Sequence, residues 1–244
     1  MPSDGKESDE INPASGGLWR RVLRLPRLRR RRPAGGGAFR GAEYWEDRYK
    51  TGGNSGLGSY GKLAAFKAQF INTFIREHQV KRLLDFGCGD GNQAGFIEVE
   101  NYLGFDVSPS ALRRCRDRFK DDPRRRFLLY DSASFRAEAA SFQADLAISM
   151  DVIFHLVEEE IFVRYMDELF RGATGHVIIY STNFDRSYPA PHQVDRQFTT
   201  YLEKRMPAWE LIQTQVNPYK GKEVQADFFV YANKKTRVAG GAGE

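Results

Sequence analysis

Five short apolar runs recur between residues 81 and 183, with longer stretches of mixed polarity set between most of them. The runs cover 81–86, 101–107, 125–131, 144–150 and 175–183, each the length of a buried strand. Continuous apolar character, as in "VKRLLDF" and "ADLAISM", is what a parallel sheet covered on both faces requires. Helical patterning falls in 42–49, 62–79, 108–121, 158–172 and near 193–206. In 62–79, Leu63, Phe66, Phe70, Phe74 and Ile75 follow helical spacing, and at 108 a serine cap precedes Pro109 at the first helical position. The last two runs, 209–216 and 226–233, read as a terminal hairpin. Alternating strands and helices followed by a hairpin predict an α/β fold with a mainly parallel sheet flanked by helices.

The chain of 244 residues fits one such domain with tails. Its net charge of +5 is unevenly placed: of 37 basic and 32 acidic side chains, residues 1–40 hold ten and four, leaving 27 and 28 for the remainder. The boundaries are therefore read as a disordered Arg-rich tail at 1–40, a folded domain at 41–233 and a disordered tail at 234–244. Within the first tail, "LWRRVLRLPRLRRRR" (18–32) alternates Arg with Leu, Val and Trp. It reads as a solvated basic tail, or as a contact for nucleic acid or an anionic membrane surface; Pro26 interrupts any helix there. No stretch reaches the roughly 20 apolar residues of a transmembrane helix, and two cysteines are too few for a disulfide framework. A cytoplasmic protein is the expectation.

The stretch "LLDFGCGDGNQ" (83–93) places glycine at 87, 89 and 91, directly after the first strand. Glycine there frees the backbone to turn sharply and lets a ligand approach closely. Such turns hold nucleotide-like ligands at the carboxyl ends of α/β sheets. The dinucleotide fingerprint G-x-G-x-x-G needs a third glycine at 92, which is Asn92, so the turn is not the usual NAD turn.

Four stretches in order resemble the class I, seven-stranded S-adenosylmethionine-dependent methyltransferases: "LLDFGCGDG" (83–91), "YLGFDVS" (102–108), "FLLYDSAS" (127–134) and "ADLAISMDVIFHL" (144–156). The resemblance covers roughly residues 42–233. It implies a Rossmann-like sheet of order 3-2-1-4-5-7-6 with strand 7 antiparallel. It also implies S-adenosylmethionine as cofactor, with Asp106 on the ribose hydroxyls, Asp131 near the adenine amino group and Asp85 near the methionyl ammonium; from the residues alone, Asp106 also reads as a helix N-cap and Asp131 as a loop cap. Gly87, Cys88, Gly89, Asp90 and Gly91 in the turn, Val107 and Ser108 after the second strand, and Ser132 and Met150 after and within later strands complete the implied binding set. Tyr49 and Tyr60, with Trp45 and Arg48, lie around a Gly/Ser loop; they read as a lid whose aromatic faces suit a sulfonium, or as core packing.

Asp151 and His155 stand four residues apart after the fourth strand and would share a face of a helix. A carboxylate could then orient the imidazole as a base, or the histidine could simply shape the pocket. His192, beside Asp195 and Arg196 on a Pro-containing loop, is a second candidate base or an ordinary polar loop residue. No Cys/His group has metal-ligand spacing. The expectation is a methyltransferase acting on an oxygen or nitrogen of a small molecule or glycan. The alternatives are an RNA or protein methyltransferase recruited by the basic tail, or a non-catalytic S-adenosylmethionine-binding module.

Overall fold

The computed structural model describes residues 40–187, 192–221 and 224–236, so the readings of residues 1–39, including the basic stretch 18–32, and of 237–244 lie outside it. Strands β1 (Arg82–Phe86), β2 (Asn101–Asp106), β3 (Arg125–Leu129), β4 (Ala144–Met150) and β5 (Ala173–Ser181) are followed by a small ribbon, β6 (Arg186–Ser187) and β7 (Val194–Asp195), and by β8 (Trp209–Gln215) and β9 (Asp227–Asn233). Helices are α1 (Gly41–Lys50), α2 (Gly61–Glu77), α3 (Pro109–Arg118), α4 (Ser132–Ala137), α5 (Glu159–Gly172) and α6 (Phe198–Arg205).

The main sheet runs β3-β2-β1-β4-β5-β9-β8. The first five strands pair in parallel, and β9 is antiparallel to both β5 and β8. With the hairpin strands counted sixth and seventh, this is the order 3-2-1-4-5-7-6 that the sequence implied. One register row crosses the sheet through Leu103, Leu84, Ala147, Val177 and Tyr231. Because the chain leaves β1 toward β2 and later returns to β4 on its other side, the two crossovers diverge above β1 and β4. That divergence opens a crevice at the carboxyl ends of the strands.

Side chains alternate between two packed faces. On one, Ile71, Phe74 and Ile75 of α2 and Leu112 of α3 meet Leu83, Leu146, Ile148 and Ile178. On the other, Phe86 packs edge-on to Phe135 and Tyr165, and Phe135 stacks on Phe142. The ring geometry adds to burial by fixing how the layers seat.

The connection from β1 to β2, where the sequence marks no helical patterning, holds only a short 3₁₀ turn at Gln93–Phe96. The glycine turn takes up the first residues of this connection, and Gly95 falls in the rest, so little remains from which to wind a helix. One expectation is corrected: the helical stretch near 193–206 begins at Phe198, because Val194 and Asp195 pair with Arg186 and Ser187 in the ribbon.

Leu146 is fully buried near the middle of the sheet. Leu146→Ala should cost about 2–5 kcal/mol. In urea the midpoint should fall with the slope unchanged; an unchanged midpoint would mean that the sheet is not packed this way.

Candidate active site

The site forms where β1, β2, β3 and β4 end. At Gly87, Gly89 and Gly91 the backbone takes φ of +90°, +57° and +76°. The N–H groups of Gly87 and Cys88 both donate to the carbonyl of Phe105, at 2.7 and 3.0 Å, so the turn folds back over β2. A Cβ on Gly87 would stand 2.4 Å from Val152 Cγ2, and one on Gly89 would stand 2.3 Å from Ser55 Oγ. The missing side chains therefore make room for Val152 and the Ser55 loop, while Gly87 and Gly89 still line the cavity.

Three acids mark the strand ends. Asp106 takes the N–H of Gly89 on Oδ2 (2.9 Å) and that of Ser108 on Oδ1 (2.8 Å). Burial raises its carboxyl to about 6 against the pull of these bonds. Asp85 accepts the Tyr102 hydroxyl on Oδ2 at 2.6 Å, while its buried Oδ1 has no partner. Burial raises it to about 7, with the Tyr102 bond and the Lys67 charge acting the other way. Asp131 caps α4 by accepting the N–H of Ser134 at 2.9 Å. Beneath it, Glu168 is fully buried in α5 and gathers Tyr130, Ser132 and Arg136.

Asp151 follows β4 in left-handed backbone, φ +58°. Its N–H donates to Tyr180 O at 2.9 Å, and its Oδ2 receives Lys67 Nζ at 2.6 Å. Lys67 is itself fully buried in α2. The pairing of Asp151 with His155 on one helical face is thus corrected: Asp151 is not helical, residues 153–155 form a 3₁₀ turn, and the carboxylate bonds Lys67. His155 instead bonds the carbonyl of His192 through Nδ1 at 2.9 Å. A carbonyl only accepts, so Nδ1 carries the hydrogen and Nε2 of the neutral ring is an acceptor. Burial holds this imidazole below its usual range, partly offset by the His192 bond.

Helix α1 spans the opening. Its Glu46 accepts the Ser108 hydroxyl (2.7 Å) and the Ser110 N–H (2.9 Å) and hydroxyl (2.8 Å). Arg114 donates to the carbonyls of Tyr49 and Gly53 at the other end, where a cation complements the helix dipole. On its far side Tyr44 stacks on His192 at 4.9 Å, and Trp45 meets His155 edge-on at 4.9 Å.

These elements enclose a cavity of about 340 Å³. Of the residues singled out in the sequence, Tyr49, Asp85, Gly87, Cys88, Gly89, Asp106, Val107, Asp131, Ser132, Met150, Asp151 and His155 line it. Asp90, Gly91, Ser108, Tyr60 and His192 do not. Asp90 is occupied by the Tyr60 hydroxyl and the Ser55 N–H, and Ser108 by α1. Asp195 and Arg196 do not join His192: Asp195 is buried against Thr182, and Arg196 bonds the carbonyls of Leu156 and Val157. The sequence reading missed Lys67 and Gln93 in the wall and Glu46 behind it. Lys67 had a visible signal, a lone charge between Leu63 and Ile71 on the buried stripe of α2. Among the described residues no group of His, Cys, Asp or Glu could hold a metal ion, and no helix is long and apolar enough to cross a membrane.

Residues 83–173 match the family model described as "Methyltransferase domain". No curated protein sequence matches the chain significantly. Among solved structures it is similar to N-methyltransferase NodS from Bradyrhizobium japonicum WM9 in complex with S-adenosyl-L-homocysteine, at 14% identity, TM-score 0.64, covering 79% of this chain and 98% of that one. Magnesium protoporphyrin IX methyltransferase (ChlM) from Synechocystis PCC 6803 with bound SAM gives 13% identity, TM-score 0.57 and coverage of 82% and 100%. The methyltransferase domain of the bacterial CtHen1-C gives 20%, TM-score 0.56 and coverage of 68% and 96%. The sheet order is that of the fold shared by the class I S-adenosylmethionine-dependent methyltransferases, and residues 83–173 within it carry the methyltransferase-domain match.

The cavity fits that cofactor's charge. Its wall holds two buried acceptor oxygens without partners, Asp85 Oδ1 and Gln93 Oε1, and the carboxylate of Asp106.

Lys67→Met should destabilise the protein by about 3 kcal/mol, because Asp151 loses its counter-charge. Adding Asp151→Asn should recover most of the loss. Denaturation of the two single variants and the double variant checks this; additive losses would mean that the pair is not coupled.

Proposed function

We propose that the protein moves the methyl group of S-adenosylmethionine to an oxygen or nitrogen of a small molecule or glycan, in the cytoplasm. The observation that carries this reading is His155: a half-buried, neutral imidazole on the cavity wall, hydrogen fixed on Nδ1 and lone pair left on Nε2. Such a group can take the proton of a hydroxyl or amine as it attacks. The bound cofactor supplies a sulfonium methyl that is already electrophilic. What remains for the chain is to align the acceptor and exclude water.

The residues divide that work. Asp106 and Asp131 face the cavity with oxygens that can accept from the cofactor's ribose and adenine. Asp85 faces its ammonium end. Helix α1, tied to α3 by Glu46 and resting on His155 and His192, covers the opening. Asp151 is a poorer base than His155, since its Oδ2 already holds Lys67. His192 acts on His155 through its backbone carbonyl. Both cysteines are free thiols, as a reducing compartment leaves them.

One observation favours a macromolecular acceptor. Residues 109–126 hold eight basic and three acidic side chains, so the near-neutral body carries a basic edge along α3 and β3. Methyl-labelled S-adenosylmethionine and extract from the protein's own organism decide between the readings. Label that resists nuclease and protease, in equal amount with a protein lacking residues 1–37, is the expected result. Label destroyed by nuclease or protease would overturn the small-molecule reading.

His155→Gln should lower kcat by about 10²–10⁴-fold while S-adenosylhomocysteine binds as before. A fall in binding with kcat intact would instead make His155 a pocket-shaping residue. Because the ring works unprotonated and its pKa is lowered from 6.5, activity should be full at neutral pH. It should be lost as pH falls through a midpoint below 6.5, and the His155→Gln profile should lack that limb.

A further inference from the structure

Two buried oxygens of the cavity wall want hydrogens and have none. Asp85 Oδ1 is one and Gln93 Oε1 the other; among the described residues, no other unpartnered buried side-chain atom lies in that wall. Leaving such atoms dry costs roughly 1–3 kcal/mol each, more for a charge. Their orientation is fixed from behind. Tyr102 holds Asp85 by Oδ2 at 2.6 Å. Gln93 donates its Nε2 to the carbonyl of Ala64 at 3.1 Å, which commits the amide oxygen to the other side. Ala64 lies one turn of α2 before Lys67, whose ammonium has three donors and gives one to Asp151. The end of the cavity at α2 thus offers two acceptors and a cation.

We infer that Gln93 is a specificity-determining residue, which joins Asp85 in receiving the α-ammonium of the cofactor while Lys67 faces its α-carboxylate. The inference rests on the cofactor reading above and adds to it the residues that distinguish an amino-acid-bearing nucleoside from one without that group. A neutral amide suits the second acceptor position. It completes the ammonium's hydrogen bonds without placing another buried carboxylate beside Asp85 and Asp106, which already repel one another. Gln93 can stand there because the connection after β1 is a 3₁₀ turn instead of a helix, which carries residue 93 back against α2.

Isothermal titration of the full-length protein with two nucleosides tests this. S-adenosylhomocysteine carries the amino-acid end, and 5′-methylthioadenosine lacks it. Gln93→Leu should weaken S-adenosylhomocysteine by about tenfold or more and leave methylthioadenosine within about twofold. Gln93→Glu keeps an acceptor but loses the donation to Ala64 and adds a carboxylate beside Asp85, so it should bind S-adenosylhomocysteine less tightly than the wild type and more tightly than Gln93→Leu, the ammonium neutralising the added charge. Equal loss of both nucleosides in Gln93→Leu, equal loss of S-adenosylhomocysteine in both variants, or no change in either variant would overturn the assignment. A wild-type protein that binds neither nucleoside would overturn the cofactor reading itself, and this assignment with it.

Discussion

A lysine ammonium with no contact to water sits between α2 and the end of β4, bonded to Asp151. Removing such a charge from water costs several kcal/mol unless a counter-charge is held in good geometry. The end of β4 supplies it at the expense of left-handed backbone at a non-glycine residue, with the Asp151 N–H anchored on Tyr180. Much of the site follows from that bond. It stops β4 from running directly into a helix, so the chain drops through the 3₁₀ turn that delivers His155. It also sets Val152 beside Gly87, where only a glycine leaves room. Tyr180 of β5 lies beneath the ammonium, 5.2 Å from its ring centre, so α2, β4 and β5 all meet there.

The glycine turn and Asp106 form a second fixed point. Asp106 ties the N–H of Gly89 to that of Ser108, joining the ends of two parallel strands through one carboxylate. Ser108 passes the connection to Glu46, and so to α1. Hydrogen bonds from Ser108 and Ser110 hold Glu46 below the usual carboxylate range despite burial, so it is an anion at neutral pH. The helix that covers the cavity is therefore fastened to the residues that the sequence assigns to the cofactor. The cover, through Glu46, and the floor, through Asp106, meet at Ser108.

The sheet was legible because strand runs and caps are local signals: the seven main strands begin and end within about two residues of their apolar runs. Ser108 caps α3 as its place before Pro109 predicts. The candidate site was legible through the resemblance, whose motifs put Asp85, Asp106, Asp131 and Met150 at strand ends that line the cavity. What escaped were contacts made by distant segments. Nothing near residue 67 says that its partner is residue 151, and nothing near 155 says that a carbonyl at 192 fixes its tautomer. The spacing of Asp151 and His155 suggested a helix because periodicity describes only local winding. A bond to a buried lysine outweighs it.

The two kinds of acid in the cavity divide its roles. Asp131 spends one oxygen on a helix cap, and Asp106 uses both on backbone N–H groups, so each is a fixed dipole as well as a charge. Asp85 has only a tyrosine behind it and an open oxygen in front. Burial leaves it near its titration point at neutral pH, so it gains most from a cation arriving beside it. A cationic ligand would release the Asp85 proton on binding, and its affinity should rise with pH through the range near 7 where that proton is otherwise held. The proposed base follows the opposite rule. Burial keeps His155 neutral, while Asp151, four residues before it, is committed to Lys67 and leaves the tautomer to a neutral carbonyl. One low-dielectric cavity thus weakens an acid at the proposed cation position and leaves a neutral imidazole at the proposed base position.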